Sequence, residues 1–243
     1  MSMSLRKELK DRRRKQRQRQ RQLALLSIVG GVVLLVALIM IATLVKSDQP
    51  AGNFTVITPY PRYMASGTAM GDPNAPVRID VFEDFQCPAC QYFALAVSKQ
   101  VANELVASGT VYYVFRQYPF LDDRSVTRES DQAANASLCA AEQGRFWDYH
   151  DMLFVNWKGE NEGNLSDAHL TAFAEALELD MKAFKACFKE NRYRAQINAD
   201  LADGEKMGVN GTPSVFVNGK LITPGRVPSF EDIKAAVDAE LSH

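Results

Sequence analysis

The sequence predicts an α/β domain: a mixed β-sheet with flanking helices, an inserted helical subdomain, and one N-terminal transmembrane helix ahead of it. Three observations carry this. A strand–helix–strand order over residues 77–116 calls for parallel pairing through a crossover. An Asn218-Gly219 pair between two β-rich runs calls for a tight antiparallel hairpin, so the sheet is mixed. Between these, residues of about 125–206 read as a succession of helices.

Charge is divided unevenly along the chain. Residues 1–22 hold ten Lys/Arg against two Asp/Glu, a net of +8, and the rest holds 18 against 27, a net of −9. Residues 23–45 are then 23 positions without a charge. At about 1.5 Å per residue they reach roughly 34 Å, enough for a hydrocarbon layer of about 30 Å. The basic flank predicts a cytoplasmic N-terminus and an extracytoplasmic remainder. A cleaved signal peptide would have a shorter apolar region, and Lys46-Ser47-Asp48-Gln49-Pro50 is a poor cleavage site. Nucleic-acid binding by the basic tail is not expected, because the apolar run beside it explains the charge.

The expected organisation is a cytoplasmic tail over 1–22, a membrane span over 23–45, a linker over 46–70 rich in Pro and Gly, and a folded domain over 71–243. Phe54-Thr55-Val56-Ile57 is a candidate edge strand within the linker. In the domain, 77–82 reads as a strand and 87–108 as a helix stopped by Gly109. Residues 111–116 form a second strand. The insertion follows, with Ser166 a candidate N-cap. Residues 214–217 and 220–223 are the hairpin strands, and 230–241 is a closing helix. An apolar fraction of 47% is enough for a sizeable core. Phe82, Phe85, Tyr92, Phe93, Phe146, Trp147, Phe154 and Trp157 are expected mainly in that core.

Chemistry is expected at Cys87-Pro88-Ala89-Cys90, where the first strand enters the first helix. Two cysteines in the first turn of a helix can close a small disulfide ring, and the helix dipole favours the thiolate of the first. An inert disulfide over so short a loop would stabilise little. Zinc is disfavoured: Cys139 and Cys187 are not a second short-spaced pair, and His150, His169 and His243 lack ligand spacing. A c-type haem needs His after the second cysteine, and Gln91 stands there. No metal or other cofactor is expected. Pro213 precedes a strand directly; from Gly211-Thr212-Pro213 alone an ordinary turn is the default, but beside a strand–CxxC–helix unit a cis-proline is preferred.

Phe85-Gln86-Cys87-Pro88-Ala89-Cys90 with 211–219 resembles the DsbA-like thiol:disulfide oxidoreductases, and Asp84-Phe85-Gln86-Cys87-Pro88, Gln143-Gly144-Arg145-Phe146-Trp147 and the Gly-Thr-Pro segment resemble their membrane-anchored bacterial branch. The resemblance covers about residues 70–241 and implies a thioredoxin fold with a helical insertion. It implies Cys87 as an exposed nucleophile, Cys90 as the buried resolving thiol, Pro213 as the cis-proline and Thr212 as the residue facing the disulfide. It also implies reduced exported proteins as clients and a membrane partner that passes electrons to quinone. Many relatives carry a buried acid six residues before the first cysteine; here that residue is Val81, with Glu83 and Asp80 as candidate substitutes. Cys139 and Cys187, in separate helices of the insertion, are expected to form a structural disulfide, the alternative being two buried free thiols. The function expected is introduction of disulfides into exported proteins. A reductase or isomerase on the same scaffold and a redox-inert binding module are the alternatives.

Overall fold

The computed structural model describes Leu26 and residues 30–40, 52–124 and 127–242. The chain divides into two compact units, Met1–Gln49 and Pro50–His243. In the first, residues 30–40 are helical and exposed. Residues 23–25, 27–29 and 41–45 of the span expected over 23–45, and all of the basic tail, lie outside the described residues. Among the described residues no helix is long and apolar enough to cross a membrane.

The second unit is built on a five-stranded sheet: β1 (Ala69–Met70), β2 (Val77–Glu83), β3 (Val111–Gln117), β4 (Ser214–Val217) and β5 (Lys220–Leu221). Their order is β1-β3-β2-β4-β5. β2 and β3 are parallel in register from Val77↔Val111 to Glu83↔Gln117. The other pairings, β1 on β3, β4 on β2 and β5 on β4, are antiparallel. The β4–β5 turn has positive φ at both Asn218 and Gly219, the combination an Asn-Gly pair tolerates best.

The crossover between β2 and β3 is one helical run over 88–106, here α1. Its α-helical turns Pro88–Tyr92 and Ser98–Val101 alternate with π-helical turns Phe93–Val97 and Ala102–Val106. Gly109, at φ 78°, takes the left-handed conformation that lets the chain leave the helix for β3. The insertion comprises α2 (Glu129–Ala141), α3 (Phe146–Asn156), α4 (Asp167–Ala176), α5 (Met181–Lys189) and α6 (Arg194–Lys206), and α7 (Phe230–Leu241) closes the chain. Ser229 and Asp232 form a reciprocal capping box at the start of α7. Ser166 stands at the N-cap of α4, but its hydroxyl faces His169 Nδ1 at 3.0 Å rather than a backbone N–H.

Central strands buried on both faces give the sheet two cores. Val77, Ile79 and Val81 with Val111, Tyr113 and Phe115 face a large core shared with α1 and α3. Phe82, Tyr118, Val209 and Phe216 form a smaller one, against which Leu201 of α6 packs. There α6 comes so close that a Cβ on Gly204 would lie 2.6 Å from the Tyr118 ring, so only glycine fits. Arg116 fastens the same helix by pairing with Asp200 at 2.7 Å and Asp203 at 2.9 Å.

The edge strand expected at Phe54–Ile57 is not formed. Residues 52–60 run without secondary structure along the insertion instead. Phe54 packs edge-on against Phe173, and Thr55 exchanges hydrogen bonds with the Asn156 side chain. The apolar residues of this segment insert between side chains rather than line up on a sheet edge. The strand that does cover the β3 edge is the two-residue β1, which has no composition signal of its own. The second hairpin strand is also shorter than expected, ending at Leu221.

Candidate active site

The loop that carries the cysteines is tied down before it reaches them. Asp84, directly after β2, accepts hydrogen bonds from Gln86 N at 2.8 Å, Ser130 Oγ at 2.6 Å and Leu121 N at 3.0 Å. Its own carbonyl accepts from Cys87 N at 3.0 Å. Gln86 donates to Ser130 Oγ and accepts from Asn161 N at 2.7 Å. Phe85 stacks on Phe115 and leans against Phe154. On the far side Gln91 donates to the carbonyls of Phe154 and Trp157. The insertion thus grips the cysteine turn from both ends, which fixes where its sulfurs sit. Burial drives the Asp84 carboxyl up to about 7 although its three hydrogen bonds pull the other way.

Cys87 is the N-cap of α1 and Pro88 opens the helix, where a missing N–H costs nothing. The Cys87 thiol donates to the Thr212 carbonyl at 3.3 Å, and the Thr212–Pro213 peptide is cis. The sites expected at 87, 90, 212 and 213 therefore meet, although 125 residues separate Cys87 from Thr212. The Cys87 pKa falls to about 6. The largest cause is the Cys90 thiol donating to its sulfur; burial opposes, and the nearby Thr212 hydroxyl, without a bond of normal geometry, and the N–H groups of Cys90 and Ala89 add to the lowering. Cys90 is wholly buried, and burial first, then its bond to Cys87 and the nearby Glu83, push its thiol well above the usual range. The exposed nucleophile that the resemblance implies is in fact only 6 % accessible at Cys87, with the 211–213 loop against it. A groove of about 290 Å³ opens beside it, lined by Ala89, Asn210, Pro213 and Val227 among others.

Val81 is buried in the large core and Asp80 lies on the opposite face, held by Arg78 at 2.6 Å. Glu83 is the acid that reaches the cysteines. It is 1 % exposed, and neither carboxyl oxygen has a hydrogen-bond partner among the described residues. Burial raises its pKa well above the carboxylate range and the Cys87 charge raises it further. The nearby Cys90 thiol pulls it back in part, without a bond of normal geometry. Alternation alone did not reveal this, because six of the seven residues of β2 are buried and neither face is marked polar. Asp84 and its partner Ser130 were likewise not singled out by the sequence. The aromatic set is buried as expected except for Trp157, which is partly buried, and Tyr92, which is 63 % exposed beside Cys90.

Cys139 of α2 and Cys187 of α5 are bonded to each other, with Cα atoms 5.8 Å apart. Both are fully buried. Among the described residues no group of His, Cys, Asp and Glu is arranged to hold a metal ion.

The thioredoxin family pattern matches residues 65–239. The probable disulfide bond formation protein D of Bacillus cereus is 30% identical over 175 residues, covering 71% of this chain and 78% of that protein. Among solved structures, oxidised BdbD from Bacillus subtilis superposes with a TM-score of 0.65 at 22% identity, covering 80% of this chain and 100% of that one. Chlamydia trachomatis DsbA superposes with a TM-score of 0.60 at 22% identity, covering 79% and 98%. A helix that begins at a Cys-x-x-Cys turn, a cis-proline loop against its first sulfur and a helical insertion are thus accompanied by likeness in sequence and in fold. The chain belongs to the thioredoxin family and is a DsbA-like thiol:disulfide oxidoreductase.

Proposed function

We propose that the protein is an oxidase of protein thiols, anchored in the membrane by residues 23–45 with its tail over 1–22 in the cytoplasm and its catalytic domain outside. The observation that carries the oxidising direction is the lowered Cys87 pKa of about 6. A stabilised Cys87 thiolate is a good leaving group and favours the reduced form of the enzyme; its pKa, lying between thioredoxin at about 7 and DsbA at about 3.5, supports a moderately oxidising disulfide.

In the reaction, a client thiolate attacks Cys87 Sγ of the Cys87–Cys90 disulfide. The S–S bond breaks, Cys90 departs with the electron pair and takes a proton from Glu83, and a mixed disulfide joins client to Cys87. A second client thiolate then attacks the client sulfur of that bond, and Cys87 leaves as a thiolate. The client loses two electrons and the enzyme gains them. Pro213 and Thr212 flank the entry, and the groove beside Ala89 offers an extended client segment a place next to the sulfur. Clients are reduced exported proteins; the Bacillus cereus relative is named for disulfide bond formation. Reoxidation falls to a membrane partner that delivers the electrons to quinone.

The test is stoichiometric oxidation of a reduced, disulfide-requiring protein by the oxidised enzyme. Client disulfides are expected to appear as Cys87 and Cys90 become reduced, with no transfer from Cys87→Ser. A protein that only reduces client disulfides under these conditions would contradict the oxidase reading.

A further inference from the structure

The parallel register sets Gln117 of β3 beside Glu83 of β2, on the face that carries Val81 and Phe115 one step earlier. Both side chains are 1 % exposed. The far end of Gln117 fixes how its amide points. Its Nε2 donates to Ser137 Oγ at 2.9 Å, while the Ser137 hydroxyl donates to the Ala134 carbonyl at 2.8 Å. The serine proton is committed, so its oxygen accepts and the Gln117 amine must face it. Gln117 Oε1 is left at the other end, buried and without a partner among the described residues. The same is true of both Glu83 oxygens and of Thr212 Oγ1.

Buried polar atoms are nearly always bonded, to protein or to ordered water. In the state that must take the Cys90 proton Glu83 is ionised, and it and the Gln117 oxygen are then both acceptors that cannot bond to one another. What fits between two acceptors is a small group with two donors, and water is that group.

We propose that Gln117 is a positioning residue for thiol exchange: its amide oxygen anchors a buried water that also donates to the Glu83 carboxylate. The proposal rests on the reading of Glu83 as proton partner of Cys90. The bridge stabilises the ionised acid and partly offsets its burial. Without the anchor, Glu83 keeps its proton to higher pH and is a poorer acceptor when Cys90 must lose its own. In that step Cys90 sulfur bonds to Cys87 sulfur, the bond from Cys87 to its partner breaks, the partner leaves as a thiolate, and the Cys90 proton passes to Glu83.

The titratable groups that face Glu83 are Cys87 and Cys90 from α1 and Tyr113 from β3. Arg62 acts on Tyr113 and is itself paired with Asp151 at 3.0 Å. Asp84, the next residue, directs its carboxyl to Ser130, Gln86 and Leu121. Thr212, ahead of β4, and Ser137 from α2 are neutral.

The experiment uses the full chain in detergent, with glutathione in disulfide linkage to Cys87, and follows glutathione release by Cys90 over about pH 5 to 9. Release from the parent is expected to rise through one midpoint. Gln117→Met, similar in shape but without the acceptor, is expected to move that midpoint up by about one unit and slow release below it about tenfold. The thiolate absorbance titration of Cys87 in the free dithiol is expected to stay in place. In a Glu83→Gln background, adding Gln117→Met is expected to change nothing further, because its effect runs through Glu83. If Gln117→Met does not fold, Gln117→Asn draws the oxygen back by one methylene and is expected to shift the midpoint the same way. An unshifted midpoint in the variant that folds, or an equal slowing in the Glu83→Gln background, would overturn the bridge. Identical pH profiles for the parent and Glu83→Gln would instead overturn Glu83 as proton partner, and the bridge with it.

Discussion

The protein holds two pairs of cysteines, all four buried, that differ in the groups around them. Cys139 and Cys187 join two helices of the insertion, 48 residues apart in sequence, fully buried in the large core. Cys87 and Cys90 sit one helical turn apart at the mouth of α1, with a carbonyl, an acid and a groove around them. The long loop of the first pair is what makes a disulfide stabilising, since closing it removes much freedom from the unfolded chain. The short loop of the second removes little, and its two sulfurs are held at opposite pKa extremes, Cys87 lowered and Cys90 raised. The same bond therefore serves stability in one place and exchange in the other, and the surroundings decide which.

That contrast breaks most sharply under substitution of the cysteines themselves. Cys87→Ser is expected to abolish client oxidation while leaving thermal unfolding nearly unchanged, read by thiol quantification and by calorimetry. Replacing Cys139 and Cys187 together by alanine should do the reverse. By the chain-entropy relation it costs about 4 kcal/mol of stability, measured by denaturant unfolding, with exchange by the still-folded fraction retained. Loss of exchange in that folded fraction would mean the two pairs are not independent.

Smaller effects sharpen the asymmetry within the reactive pair. Glu83→Gln removes the proton partner of Cys90 and should slow resolution of a Cys87 mixed disulfide about a hundredfold near neutral pH, followed by stopped-flow release of the partner thiol. Cys87 alkylation at neutral pH should scarcely change. The last prediction concerns the buried acids. The folded pKa of Asp84, about 7, lies above its unfolded value, and that of Glu83 is raised well above the carboxylate range. At these two acids the native state therefore binds more protons than the unfolded one above about pH 4. The stability these acids contribute is fully present below the unfolded pKa and is lost as pH rises through the folded values. Melting of the oxidised protein, in which Cys87 and Cys90 carry no titratable thiol, should thus occur at lower temperature near pH 8 than near pH 5, and Asp84→Asn should flatten the trend.

Much of the architecture is legible in the residues. The Cys-x-x-Cys turn, Gly109, Asn218-Gly219 and the strand-rich runs on either side act locally, and each marks an element by its own chemistry. The meeting of Thr212 with Cys87 is not local, and it was anticipated only by coupling a proline before a strand to the strand–CxxC–helix unit and by likeness to a family. Gln117 was hidden, and Glu83 could not be told from Asp80, for a different reason. Buried on both faces, β2 shows no alternation, so which face its acid takes depends on register with β3 and on helices far along the chain. Residues 52–60 mislead in the opposite sense: proline and glycine suggest a free linker, yet Phe54 and Thr55 dock on the insertion.

The account rests on an oxidising Cys87–Cys90 pair, and the most direct measurement is its equilibrium redox titration against glutathione, read as the reduced fraction of those two thiols. The account predicts a potential well above that of thioredoxin, about −270 mV, and toward that of DsbA, about −120 mV. A value at or below the thioredoxin figure would contradict it and assign the protein to reduction.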